Sequence, residues 1–187
     1  MILVLGGARS GKSGFAMRLA EQISKSPPTY LATGEAGDPE MAHRITKHKA
    51  ERADRWTTWE GEAGDLPAWL AGRRGVFLLD CLTFWLSRLM FSSPEAESAD
   101  EIEWEKKETL LMSLCEQLAD CEHRDAVLVV VSNEVGSGLV PPTIMGRRFR
   151  DLQGRANQLM ASRADAVAFM VAGIPAWIKG KPPEKTS

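Results

Sequence analysis

The 187-residue sequence is short of several things, and each shortage removes a class of protein. Cysteine occurs three times, as Cys81, Cys115 and Cys121, with no C-x-x-C spacing. That pattern supports neither a disulfide framework nor a structural zinc site, and it reads as free thiols in a reducing compartment. Net charge is scarce too. Lys and Arg number 23 against 25 Asp and Glu, leaving −2, so there is no electrostatic reason to expect DNA, RNA or an anionic membrane as partner. Long apolar runs are missing: a membrane span needs roughly 18 such residues, and the best candidate, CLTFWLSRLMF, is interrupted by Arg88. The apolar stretch Met1–Leu5 is too short for a signal-peptide core and has no basic lead-in. No internal repeat, low-complexity block or interdomain linker stands out. The expectation is a cytoplasmic protein whose residues 1–187 form a single domain, with a frayed tail from about 180 to 187.

What is present is the composition of a globular chain, 44% hydrophobic and 26% charged, enough to bury a core without staples. Short apolar runs alternate with amphipathic ones. Ile2–Leu5 reads as a buried strand, and Phe15, Leu19 and Ile23 recur at helical spacing until Pro27 and Pro28 end the helix. Thr29–Thr33 reads as a second strand. Asp38 and Pro39 then open a helix that runs to about Arg52, the aspartate accepting from free N–H groups and the proline fitting the first helical position. Val76–Asp80 is a strand ending in an acid. Trp104, Leu111, Leu114, Leu118 and Cys121 line one face of a long polar helix. Ala126–Ser132 is a strand, and Glu134–Thr143 a loop rich in Gly and Pro. Phe149, Leu152, Ala156, Leu159 and Arg163 mark a helix, and Ala166–Gly173 the last clear strand. Strand and helix alternate throughout, which implies an α/β fold with a mostly parallel sheet and helices on both faces.

The stretch GGARSGKS fits G-x-x-x-x-G-K-[ST] at every fixed position, with Gly6, Gly11, Lys12 and Ser13 as the fixed residues. It follows a strand and opens a helix, the context in which this motif cradles phosphates. Glycines let backbone N–H groups turn inward, and the helix N-terminus adds partial positive charge. Lys12 is expected to bridge the outer phosphates and Ser13 to ligate Mg²⁺, with Asp80 either helping to hold the metal through water or simply solvated at its strand end. The loop defines a ligand class rather than a reaction.

A second feature is the basic segment that follows Asp38. On a helix, Arg44, His48 and Arg52 share one face, flanked by Lys47 and Lys49. Such a stripe suits a triphosphate, although Lys and Arg equally populate solvated helix faces. Surrounding cations depress a histidine's pKa, and a neutral imidazole is a usable nucleophile at phosphorus. If His48 faced the α-phosphate of a nucleotide in the loop, it could take the nucleotidyl group and expel pyrophosphate.

Taken in order, GGARSGKS, EMAHRITKHKAER with WTTWE, LLDCLT, VSNEVGSGLVP and RRFRDLQGRANQLMA resemble the bifunctional adenosylcobinamide kinase / adenosylcobinamide-phosphate guanylyltransferase family of cobalamin biosynthesis. The resemblance runs from Met1 to about Lys179. It implies a RecA-like P-loop NTPase fold, generally a homotrimer. Two reactions are implied. Adenosylcobinamide is phosphorylated from ATP or GTP, and GMP then passes from GTP through a guanylyl-histidine to adenosylcobinamide phosphate, giving adenosyl-GDP-cobinamide. By position the guanylyl carrier is His48, not His43 or His123. The implied nucleotide contacts are Gly6, Gly7, Ala8, Arg9, Ser10, Gly11, Lys12 and Ser13, then Ala32, Thr33 and Gly34, then Lys49, Ala50, Glu51 and Arg52, with Glu60 and Asp80. Lys12 and His48 are the catalytic pair, and Ser13 and Asp80 the metal contacts. The Glu134 loop and the Arg147–Arg150 cluster are candidates for the corrinoid. The rival readings are a P-loop small-molecule kinase without guanylyl transfer and a regulatory nucleotide-binding protein.

Overall fold

The computed structural model describes residues 1–33, 52, 55–92, 100–120 and 126–183. Strand β1 (Ile2–Gly6) leads through the glycine-rich loop into helix α1 (Lys12–Ile23). Strands β2 (Thr29–Ala32) and β3 (Thr57–Trp59) follow, then the short helix α2 (Leu66–Leu70) and β4 (Gly75–Asp80). Helices α3 (Leu82–Met90) and α4 (Glu101–Asp120) precede β5 (Ala126–Asn133). Helix α5 (Ile144–Arg163) and the hairpin of β6 (Ala166–Val171) and β7 (Ile174–Lys179) complete the described fold.

The strands form a seven-stranded sheet in the order β3-β2-β4-β5-β1-β6-β7. Every pairing is parallel except that of β6 with β7, which is antiparallel. Parallel strands are buried on both faces, and the pleat sends alternate residues to opposite sides. Leu3 and Leu5 join α3, α4 and α5 in one core, whereas Ile2 and Val4 join α1 in the other. This is why β1 reads as an unbroken apolar run. It also places the phosphate loop in the interior of the sheet, between the ends of β5 and β6.

Local chemistry sets the helix starts on the first face. Asp100 Oδ1 accepts from Glu103 N at 2.9 Å and Glu103 Oε2 from Asp100 N at 3.1 Å, a reciprocal capping box that opens α4. Thr143 Oγ1 accepts from Gly146 N at 3.0 Å and opens α5. Trp85, fully buried on α3, donates its indole N–H to Ala63 O at 2.7 Å, joining helix packing to the turn before α2. Trp85→Phe keeps most of the apolar surface and removes the indole donor, leaving Ala63 O with its backbone bond from Leu66 N. The expected loss is about 0.5–1.5 kcal/mol, read as a lower midpoint in urea; an unchanged midpoint contradicts the role given to the bond.

Candidate functional site: a phosphate loop braced on both sides

Gly6 ends β1 where the backbone leaves no room for a side chain. A Cβ there would lie 2.7 Å from Met170 O and 2.8 Å from Ser10 Oγ. Gly11 closes the loop with φ 91°, and a Cβ on it would press to 3.3 Å from Gly173 Cα. Neighbours on both sides hold the loop's backbone. Glu134 N donates to Gly6 O at 3.2 Å, and Gly173 N, in the β6–β7 turn, donates to Ser10 O at 3.0 Å. Gly7, Ala8 and Arg9 are exposed at the tip, Ser10 is half-buried, and Lys12 is buried. Lys12 Nζ donates to Gly7 O at 2.6 Å and lies 3.5 Å from Ser10 Oγ. Burial pulls the Lys12 ammonium below its ordinary pKa, while the negative groups nearby, Asp80 among them, oppose that pull.

A chain of polar contacts runs from α1 across to β2. Ser13 Oγ donates to Asp80 Oδ1 at 3.1 Å. Tyr30 OH lies 3.4 Å from Asp80 Oδ2 and 3.3 Å from Asp80 O. Burial pushes the Tyr30 phenol well above its usual pKa, and the Asp80 charge adds to it, so the phenol stays a donor. The guanidinium of Arg52 stacks on the Tyr30 ring, 3.5 Å from its centroid. Arg52 is 3% exposed, and its Nη1 has no hydrogen-bond partner among the described residues. A buried charged donor without an acceptor is costly, so this N–H is available to an anion.

The hydroxyl of Ser13 and the carboxylate of Asp80 supply hard oxygens at a helix start, a donor set that fits Mg²⁺. That ion is commonly held by one or two protein oxygens while phosphates and water complete its shell. Among the described residues no group of three or more His, Cys, Asp and Glu could form a metal cage.

The other expected contacts are distributed unevenly. Ala32 ends β2 beside Asp80 in register. Thr33 is buried, with its hydroxyl engaged by the Cys81 backbone, accepting from Cys81 N at 3.0 Å and donating to Cys81 O at 3.2 Å. Burial and the Asp80 charge push the Cys81 thiol up to about 11. Glu60 is exposed just beyond β3, four strands from β1, or about 19 Å at about 4.8 Å per strand. Gly34, His48, Lys49, Ala50, Glu51 and Cys121 lie outside the described residues, as does the expected helix from Pro39 up to Arg52. The arginines at the start of α5 are committed within the scaffold. Arg147 Nη1 donates to Pro141 O at 3.1 Å and Pro142 O at 2.9 Å. Arg148 pairs with Glu101 at 3.0 Å, and Arg150 with Asp151 at 2.8 Å.

A polar cluster under the end of β5 has no counterpart in the sequence reading. Ser132 Oγ lies 2.6 Å from Asn157 Oδ1, and Gln153 Nε2 donates to both oxygens at 2.9 Å. Asn157 Nδ2 donates to Asn133 O at 3.1 Å. Thr83 Oγ1 accepts from Asn133 N at 3.1 Å and from Asn133 Nδ2 at 3.0 Å. Polar residues at helical spacing on α5, Gln153 and Asn157, were the available signal. Their partners are 21 to 25 residues away in sequence, so only the fold reveals the cluster.

A phosphate loop between strands of a parallel sheet, with a serine at the helix start facing an acid on a strand beyond its neighbour, defines a P-loop α/β nucleotide-binding protein. The family model described as cobinamide kinase / cobinamide phosphate guanyltransferase matches residues 2–178, and the chain belongs to that family. It is similar to the bifunctional adenosylcobalamin biosynthesis protein CobP of Pseudomonas aeruginosa, 40% identical over 185 residues, covering 96% of this chain and 98% of the relative. It is also similar to the bifunctional adenosylcobalamin biosynthesis proteins CobU of Escherichia coli and Salmonella typhimurium. These are 38% and 39% identical, each match covering 96% of this chain and 99% of the relative. The chain is thus an enzyme of adenosylcobalamin biosynthesis, a cobinamide kinase and cobinamide phosphate guanyltransferase that uses nucleoside triphosphates.

Proposed function

We propose that the one phosphate loop serves both reactions, with Lys12 holding the triphosphate and His48 carrying the guanylyl group. The observation that carries this reading is the braced loop itself, with the buried Lys12 folded along it and Ser13 facing Asp80. In the kinase step, backbone N–H groups of Gly7–Ser13 and the Lys12 ammonium stabilise charge on the phosphoryl group passing to adenosylcobinamide. Bound Mg²⁺, held by Ser13 and Asp80, supplies further neutralisation of phosphate charge.

In the second reaction, neutral His48 attacks the α-phosphorus of GTP. A P–N bond forms and pyrophosphate leaves. A phosphate oxygen of adenosylcobinamide phosphate then displaces the histidine, giving adenosyl-GDP-cobinamide. Two displacements replace one difficult transfer. The cationic segment around His48 favours its neutral form. The unpartnered Arg52 Nη1, four residues after His48 and linked through Tyr30 to Asp80, supports an anion bound between that segment and the loop. Ala32, Thr33, Gly34, Lys49, Ala50 and Glu51 complete the nucleotide contacts. Glu60, across the sheet, is assigned the role of accepting from guanine or ribose.

The corrinoid is assigned to the distal part of the loop after β5, where Leu139 and Val140 are exposed apolar residues. The protein is read as a cytoplasmic homotrimer. Among the described residues no helix is long and apolar enough to cross a membrane. The apolar side chains of Val171 and Ile174, paired across the β6–β7 hairpin and exposed with Ile178, support association through that edge.

His48→Ala is expected to abolish guanylyl transfer while sparing much of the kinase reaction. GTP labelled at the α-phosphate should leave acid-labile, base-stable label on the wild type alone; label persisting on the variant rules out His48. Lys12→Ala is expected to slow both reactions on the order of 100-fold, and an unaffected kinase rate contradicts its placement.

A further inference from the structure

We infer that Glu134 is the general base of the kinase reaction, accepting the proton of the cobinamide hydroxyl as that oxygen attacks phosphorus; the inference rests on the functional reading above and deepens it. A hydroxyl nucleophile must shed a proton during phosphoryl transfer, and a positioned carboxylate is a suitable acceptor. Among the described residues, the carboxylates at the ends of the two strands on that side of the loop are Asp80, which ends β4, and Glu134, which follows β5. Asp80 is occupied by Ser13 and Tyr30. Glu134 is one strand from β1 rather than two, and its own N–H donates to Gly6 O at 3.2 Å.

The side chain and the backbone of Glu134 are treated differently by the fold. The carboxylate is half-buried, and no hydrogen bond or ion pair with a described residue engages it. Oε1 lies 3.4 Å from the point a Cβ on Gly136 would occupy, so the glycine leaves the carboxylate room to turn. The backbone, in contrast, is held hard. Asn133, its immediate neighbour, is gripped by Thr83 from α3 and Asn157 from α5, and behind them lie buried Ser132 and Gln153. Gln153 Oε1 remains buried without a partner among the described residues. A core that keeps polar groups at such cost has gained a fixed position for the residue at the strand end. A backbone fixed against the phosphate loop, carrying an uncommitted carboxylate, is what a base needs.

The step balances without another reactant. The hydroxyl oxygen bonds to the γ-phosphorus, and the bond from that phosphorus to the bridging oxygen breaks. The nucleoside diphosphate leaves with the electron pair. The proton passes to the Glu134 carboxylate and then to water. Guanylyl transfer has no such requirement, because His48 attacks through a lone pair and the accepting phosphate monoester is largely ionised near neutral pH.

Glu134→Gln, assayed with adenosylcobinamide and ATP, is therefore expected to lower the kinase kcat on the order of 100-fold or more, with KM for the corrinoid changed less than about threefold. The same protein, assayed with GTP and adenosylcobinamide phosphate, should transfer GMP within about threefold of the wild-type rate. Glu134→Asp keeps a withdrawn carboxylate and should recover part of the kinase rate. A kinase rate within about threefold of wild type in Glu134→Gln, or an equal loss of both reactions in a folded variant, overturns the assignment. Should Glu134→Gln fail to fold by circular dichroism, Glu134→Asp decides: a selective kinase loss supports the base and a wild-type kinase rate overturns it. Failure of the underlying functional reading looks different, because the wild type itself would then show no label from GTP.

Discussion

The backbone carbonyl of Met170 stands where a side chain on Gly6 would have to be. That constraint organises the rest of the site. β1 is flanked by β5 and β6, so the loop leaving it must turn within the space between two neighbouring strand ends. Only a residue without Cβ passes, and once it has passed, each neighbour contributes a hydrogen bond to hold the loop's shape. The cradle is thus a property of sheet order as much as of eight residues of sequence. Preorganised N–H groups bind phosphate charge without the reorganisation that water would require.

From that loop the polar contacts spread in two directions with different chemistry. Toward β4 and β2 they pass through Ser13, Asp80 and Tyr30 to a buried guanidinium. This branch gathers charge and suits a triphosphate with its metal. Toward β5 they pass through Gly6 to Glu134, and below it to a cluster of amides and hydroxyls. This branch gathers geometry and suits a group that must be placed accurately. Two reactions on one loop become intelligible when the demands are separated. Both need the triphosphate held, one needs a nucleophilic nitrogen, and the other needs a proton removed.

The central architecture was legible because its signals are local. β1, the loop, α1 and the acid at the end of β4 each declare themselves within a few residues, and the unbroken apolar runs announced a sheet buried on both faces. Elements at the sheet edges were not. β3 has three residues, two of them exposed, so it lacks the apolar payload of a central strand. β7 alternates exposed Ile174, Ala176 and Ile178 with half-buried Pro175 and Trp177. That period-two pattern is carried by only six residues, with Pro175 inside it, and no strand is read there from the sequence. Trp177 in fact packs against Phe15 of α1, with ring centroids 6.2 Å apart. Helix α3 was noticed only as an apolar run excluded from a membrane role, although Trp85 makes it a pillar of the core. The pairing of Arg148 with Glu101, 47 residues away in sequence, likewise needed the tertiary structure. A basic cluster in sequence shows charge, not whether that charge is already answered.

The claim beneath all of this is that the nucleotide is held by a backbone shape which Gly6 alone permits. Calorimetric titration of a non-hydrolysable GTP analogue into Gly6→Ala, with circular dichroism as the check on folding, tests it most directly. The expected result is a folded protein whose affinity has fallen at least about tenfold, since a Cβ 2.7 Å from a backbone oxygen forces the loop to shift. A folded variant that binds the analogue as tightly as the wild type would contradict the claim.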